Sequence, residues 1–296
     1  MTDPTDRNAE EVRLGAPSPP DAGSGSGSIY DSAHRAPRWL EEAIQLWRYR
    51  GLVHELVIRD IKVRYKRSVL GIIWTMLAPL LNMIALTLVF SSILKTAVQN
   101  YPVYFMTGSI FWAFFSQTTT AASQQTTASN ELAKRMFIPR SVFIASAVGG
   151  GLVNLLLSLV PLILIIVVTG FPLHATWAFL PISILVVTLF TTGIAFLLFT
   201  VTSRFADVRE MYTVLVQTWF FLTPIVYEPS IVPFRYRVLL SLNPMYHLIQ
   251  VFRKPIYDGV LPSSTLLAGS FGFSVAVLIT GWVYFSHRSD KMAYWS

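Results

Sequence analysis

SVFIASAVGGGLVNLLLSLVPLILIIVVTGFPLHATWAFLPISILVVTLFTTGIAFLLFTVTS, residues 141–203, runs for 63 positions without Asp, Glu, Lys or Arg. A hydrocarbon core ~30 Å thick takes about 20 helical residues to cross. The stretch therefore reads as two membrane-spanning helices, expected at 142–168 and 177–202, with TGFPLHAT (169–176) as the turn between them. Composition agrees. Of 296 residues, 53% are hydrophobic and only 13% charged, about half the charged share of a soluble domain. Mean hydropathy is +0.52. These values exclude a water-soluble fold and indicate an all-α polytopic membrane protein.

Uncharged windows recur on both sides of this stretch. Residues 68–94, 96–130, 211–227 and 259–286 predict four further spans, at about 70–92, 102–124, 211–227 and 264–285, six in all. Six crossings place both termini on one side. With the N-terminus inside, short inner segments carry fourteen Lys and Arg and outer segments five. Cytoplasmic loops collect Lys and Arg, so N-in/C-in is expected, with both termini cytoplasmic in a plasma (inner) membrane. The same bias accounts for the net charge of +7 without any nucleic-acid partner.

Residues 1–37 read as a disordered cytoplasmic tail; GAPSPPDAGSGSGS (15–28) lacks apolar residues to offset its ordering cost. Residues 38–67 read as amphipathic interface helices. Trp39, Leu40, Ala43, Ile44 and Trp47 form one apolar stripe suited to the membrane surface. In 52–67, Arg59, Lys62 and Lys66 lie opposite Val53, Val57 and Ile61, and Asp60 is expected to pair with Arg64. Residues 228–258 are expected outside, yet VLLSL and MYHLIQVF are apolar, too short to cross, and broken by Asn243-Pro244. That pattern predicts re-entrant helices between spans five and six.

The chain has no cysteine and no G-x-x-x-x-G-K-[ST] phosphate loop, and its five histidines never fall at metal-ligand spacing. Thiol chemistry, a metal centre and P-loop ATP hydrolysis are excluded. The spans hold no acidic residue either. Ion-coupled transport usually needs an ionisable group in the membrane, so energy is expected from another subunit.

The spans are rich in rings and hydroxyls instead. YPVYFMTGSIFWAFF (101–115) precedes SQTTTAASQQTTASN (116–130), a run too polar to face lipid; it should meet a neighbour or a wet passage. Aromatic rings offer flat apolar faces with polar tips, which suits sliding sugar rings. Trp74, Tyr101, Tyr104, Phe105, Trp112, Trp219, Phe220, Phe221 and Tyr227 are the candidate channel residues. Gly149-Gly150-Gly151 is expected to permit close helix packing.

RYKRSVLGIIWTMLAPLL (64–81), SNELAKRMFIPRSVF (129–143), WFFLTPIVYEPSIVP (219–233) and LNPMYHLIQVFRKPIYDG (242–259) occur in that order. Together they resemble the ABC-2-type polysaccharide export permeases, which serve O-antigen, teichoic acid and capsule export. The resemblance covers about 40–290 and makes 68–290 the transmembrane domain. It implies a homodimer binding two copies of an ABC nucleotide-binding subunit. ATP and Mg would sit on that partner, leaving this chain without cofactor or catalytic residue. The cargo implied is a polyprenyl-pyrophosphate-linked glycan, O-antigen-, galactan- or teichoic-acid-like. The loop 129–141 would couple to the ATPase through Asn130, Glu131, Lys134, Arg135, Phe137, Pro139 and Arg140. Arg59, Lys62, Arg64 and Lys66 would belong to the interface helix at the membrane lipids. Arg235, Arg237, Arg253 and Lys254 are expected to form an outer basic group that meets the lipid pyrophosphate. Two other readings stand beside this one. An ABC-2 drug or small-lipid exporter would usually lack the aromatic re-entrant pair. A membrane glycosyltransferase would have to rely on Asp60, Asp207 or Glu210, each with a basic neighbour.

Overall fold

The computed structural model describes residues 37–66, 73–93, 98–135 and 138–292; the predicted tail lies outside them. Among the described residues the fold is all-helical, without a strand. Two helices open it: α1 (Arg38–Arg48) and α2 (Arg50–Tyr65). The six longer apolar segments follow as α3 (Ile73–Thr87), α4 (Tyr101–Arg135), α5 (Ser141–Thr169), α6 (Leu180–Arg204), α7 (Asp207–Leu222) and, last, α10 (Ser264–Met292). Between α7 and α10 lie two short helices, α8 (Arg237–Ser241) and α9 (Pro244–Arg253). Three helical stretches, 141–169, 175–204 and 264–289, are long and apolar enough to cross a membrane.

The 141–203 stretch folds as its pattern predicts. α5 ends where Gly170 takes φ +64°, and the Gly170 and Phe171 amides bond back to the Val167 and Ile166 carbonyls. That left-handed close needs a glycine. The glycine triplet earlier in α5 packs tightly at two of its three positions. A Cβ on Gly149 would collide with Val57 of α2, and one on Gly151 with Thr118 of α4, while Gly150 faces open space.

Two boundaries differ from the sequence expectation. α4 does not stop near 124 but runs 35 residues to Arg135, because NELAKR is built of good helix formers and Pro139 is the next interruption. The loop expected from 129 is therefore helical over its first half. α7 ends at Leu222 rather than 227. Pro224 forces Thr223 into extended backbone (φ −99°, ψ 131°), as a residue before proline prefers. Segment 38–67 forms two helices, dividing at Tyr49. In α1 the apolar stripe remains exposed, Trp47 at 72%. α2 instead turns Leu56 inward against Val142 and Phe143. Asp60 is engaged by its neighbour Arg59, whose Nε and Nη2 donate at 3.1 and 2.8 Å; the side chain of Arg64 lies outside the described residues.

α4 occupies the centre of the fold. Its Phe111 stacks on Phe252 of α9 at 4.0 Å and Phe115 on Phe190 of α6 at 5.6 Å. The helix also buries Thr107, Thr119, Ser123 and Thr126. These hydroxyls donate to carbonyls three or four residues back, at 2.7 to 3.0 Å. These four hydroxyls are thus satisfied within the helix itself, whereas the buried Thr118 Oγ1 and Gln125 Oε1 have no hydrogen-bond partner among the described residues.

Candidate functional site: a polar groove between α4 and α7

The face of α4 turned away from that core carries Trp112, Ser116, Gln117, Thr120, Ala121 and Gln124. They fall at i, i+4, i+5, i+8, i+9 and i+12, along one side of a 3.6-residue helix. Across from them α7 presents Thr213, Val216, Gln217, Phe220 and Phe221, at i, i+3, i+4, i+7 and i+8. The two faces enclose an open groove of about 640 Å³. A second cavity of about 390 Å³ shares Trp112, Ser116, Gln117 and Phe220 and reaches Pro79 and Asn82 of α3 and Ser158 of α5. Amides and hydroxyls thus line a continuous lateral trough, with aromatic rings at one end. The exposed side chains Gln117, Gln124 and Gln217 supply both donors and acceptors and carry no charge.

α7 is held to α4 by cross-links along its length. Arg209 donates to Thr126 Oγ1 at 3.0 Å, and the Tyr212 hydroxyl to Thr119 Oγ1 at 2.6 Å. Trp219 meets Trp112 and Phe115 edge-on at 5.8 and 5.4 Å. Beyond Leu222 the helix has ended, leaving carbonyls without intrahelical partners. Four successive ones receive side-chain donors from distant helices. Arg253 Nη1 reaches Pro224 O at 3.0 Å and its Nη2 Ile225 O at 3.4 Å. The Tyr101 and Tyr104 hydroxyls bond Val226 O at 2.8 Å and Tyr227 O at 2.9 Å. Asn243 secures the next element. As N-cap of α9 its Oδ1 accepts from Met245 N and from Trp219 Nε1, both at 3.0 Å, while Nδ2 donates to Thr223 Oγ1 at 2.9 Å.

This arrangement divides the candidate channel residues. Trp112, Phe220 and Phe221 line the groove, and Phe105 lines the adjoining cavity. Tyr101, Tyr104 and Trp219 direct their polar tips to the α7 terminus and α9 instead. Tyr227 donates to Phe221 O at 3.2 Å. Of Trp74 only the helical backbone is described. The basic group divides as well. Arg235 lies over its neighbour Tyr236 and Arg237 bonds Val232 O, both at the surface. Arg253 is only 2% exposed, with Tyr104's ring 3.8 Å from its guanidinium carbon. It does not join a surface cluster, because its donors are occupied by carbonyls and by Thr107 Oγ1.

Of the coupling residues, Asn130, Glu131, Lys134 and Arg135 belong to the last turns of α4; their side chains and Phe137 lie outside the described residues. Pro139 and Arg140 form the turn into α5, where Arg140 Nη1 donates to Ser289 O of α10 at 3.3 Å. Burial lowers the Arg140 pKa and nearby Glu42 opposes that shift. Glu42 also accepts from Ser141 Oγ at 3.2 Å, tying α1 to the same turn. In α2, Arg59, Lys62 and Lys66 are exposed. Gln117 and Gln124 belong to the polar run 116–130 expected to face a neighbour or a wet passage; sequence reasoning does not single out Gln217 across from them or the capping role of Asn243.

An all-helical membrane protein with a lateral uncharged polar trough belongs among transport permeases. The chain is a member of the ABC-2 type transporter family, whose model matches residues 52–257. It is 29% identical over 253 residues to the O-antigen export system permease protein RfbA of Myxococcus xanthus, covering 84% of this chain and 96% of that protein. A Klebsiella pneumoniae protein of the same name is 28% identical over 216 residues, 71% of this chain and 83% of that one. The polysialic acid transport protein KpsM of Escherichia coli is 22% identical over 254 residues, 81% of this chain and 94% of its own.

Proposed function

We propose that this chain is the membrane subunit of an ATP-driven exporter that moves a lipid-linked polysaccharide from the cytoplasmic to the outer side of the plasma membrane. It works as a homodimer with two copies of a separate nucleotide-binding subunit, which holds ATP and Mg. The supporting observation is the uncharged polar trough between α4 and α7. A glycan cannot enter hydrocarbon, because each unpaired polar group costs several kcal/mol. Gln117, Gln124 and Gln217 offer replaceable hydrogen bonds, and Trp112, Phe220 and Phe221 offer flat faces along which a sugar can slide. The lipid carrier stays in the bilayer beside the trough.

In this reading α3, α4, α5, α6, α7 and α10 are the six spans, N-in/C-in, and 228–258 is the re-entrant segment at the outer face. Residues 38–67 lie at the inner membrane surface, with the exposed α1 stripe toward lipid, and 68–290 form the transmembrane domain. The second copy of the chain closes the trough. α7 leaves Met211, Val214, Leu215 and Leu222 exposed on its free side, a face that needs an apolar cover. ATP binding on the partner moves the turn at 129–141. Through Arg140, Glu42 and the Trp282–Trp39 hydrogen bond of 3.1 Å, that push reaches α10 and α1 together.

Depletion of the protein in its producing cell tests the reading. Lipid-linked glycan should accumulate on the cytoplasmic face while surface glycan falls at least about tenfold. Undiminished surface glycan, or accumulation of a small lipid or drug instead, refutes it.

A further inference from the structure

A cavity separate from the trough lies beside the buried Arg253, with a volume of about 410 Å³. That is within the range of about 300–1,000 Å³ usual for ligand sites. Tyr104 and Tyr257 stand in its wall edge to face, ring centres 5.4 Å apart. Tyr257 is braced from behind by Phe171, stacked at 5.6 Å, and its hydroxyl donates to the Gln99 carbonyl. Gln99, Gln250, Glu228 and Asp258 complete the polar lining.

Arg253 and the adjacent Lys254 balance the two carboxylates in charge but not in hydrogen bonding. Arg253 contributes a cation, but its donors already serve the carbonyls of Tyr104, Pro224 and Ile225. Among the described residues neither Glu228 nor Asp258 makes an ion pair or a side-chain hydrogen bond. Burial raises the Asp258 pKa despite the opposing pull of Lys254 and Arg253. Two open carboxylates beside a guanidinium whose donors are committed make a lining that accepts hydrogen bonds and offers an anion few free donors. Carboxylate acceptors and amides of both polarities are the groups that hold a polyhydroxylated ring. No third acidic residue or histidine joins the two carboxylates to form a metal-binding group among the described residues.

We propose that this cavity is a sugar subsite at the outer mouth of the permease, selective for a neutral hydroxyl-bearing sugar ring over phosphate, uronate or sialate. It rests on the export reading for its position and deepens it by naming the cargo class, a glycan whose passing units are uncharged.

The chain's lack of cysteine gives a direct test. Ser230, exposed on the cavity wall, becomes the sole thiol in Ser230→Cys; Gln99→Cys provides the same from the opposite wall should the first variant fold poorly. The rate of maleimide labelling is measured on the purified full chain in detergent. Neutral trisaccharides of mannose, galactose or glucose at millimolar concentration should slow labelling at least threefold. A sialic acid dimer, glucuronate and inorganic pyrophosphate should leave it unchanged. Adding Glu228→Gln with Asp258→Asn should abolish the protection. Equal protection by the anions overturns the proposal. So does protection by magnesium or an amine alone, absence of protection by every neutral sugar, or protection that survives loss of both carboxylates. The assay needs neither ATPase nor transport. Normal export with anion protection sinks the subsite alone, and failed export with neutral-sugar protection sinks the export reading alone.

Discussion

The two halves of α4 use polar and aromatic residues in opposite ways. From Tyr101 to Phe115 the helix looks equipped for a channel, with six aromatic rings besides Trp112. Yet Tyr101, Tyr104, Phe105, Phe111, Phe114 and Phe115 are buried, and the two tyrosines bind carbonyls left bare where α7 ends. From Ser116 to Gln124 the helix looks merely polar, and here it opens the groove. One half is a foundation whose hydrogen bonds are already committed. The other is a working face whose amides remain exposed. The lesson is that a ring or hydroxyl in a membrane helix serves whatever lies opposite it, and that depends on where the neighbouring helices end.

If this division holds, substitutions on the foundation should change stability and those on the working face should change transport. The largest effect belongs to Arg253→Met. It strands the carbonyls of Pro224 and Ile225 in the interior, at about 3 kcal/mol for a charged donor's bonds, and should lower Tm in detergent by roughly 6–12 °C. Arg253→Lys should not rescue it, because one ammonium cannot reproduce the planar fork. An unchanged Tm for Arg253→Met would dissolve the comparison. Next comes Asn243→Ala, which removes the α9 cap and the partners of Trp219 and Thr223. About 2 kcal/mol is expected, seen as a smaller Tm drop with earlier hydrogen exchange across 223–245. The smallest stability effect is expected for Gln117→Leu combined with Gln217→Leu, within about 0.5 kcal/mol as for exposed sites. The same variant should cut surface glycan about tenfold, equivalent to ~1.4 kcal/mol in the barrier. A large Tm loss with normal export would reverse the roles assigned to the two halves.

Much of the fold was legible in one dimension. The uncharged windows located all six long helices, and Asn243-Pro244 marked the break before α9. Boundaries were less legible where a local rule met a longer-range one. The charges of NELAKR suggest a loop although its residues favour a helix, and Pro224 ends α7 inside an apolar run. The site was partly legible. Trp112, Phe220 and Phe221 proved to face the groove. Arg253 was read as a surface charge because its neighbour Lys254 and two further arginines suggested a cluster. Its carbonyl partners lie as many as 149 positions away in sequence.

By itself the sequence determined that this chain lives in a membrane and that it is helical. Those properties follow from composition and from charge-free length, which need no knowledge of neighbours. Only the tertiary structure decided which side of α4 is core and which is groove, and why an arginine can be buried with carbonyls rather than an ion pair as its partners. Burial and hydrogen-bond satisfaction depend on what each side chain meets across helices, and periodicity alone does not encode that.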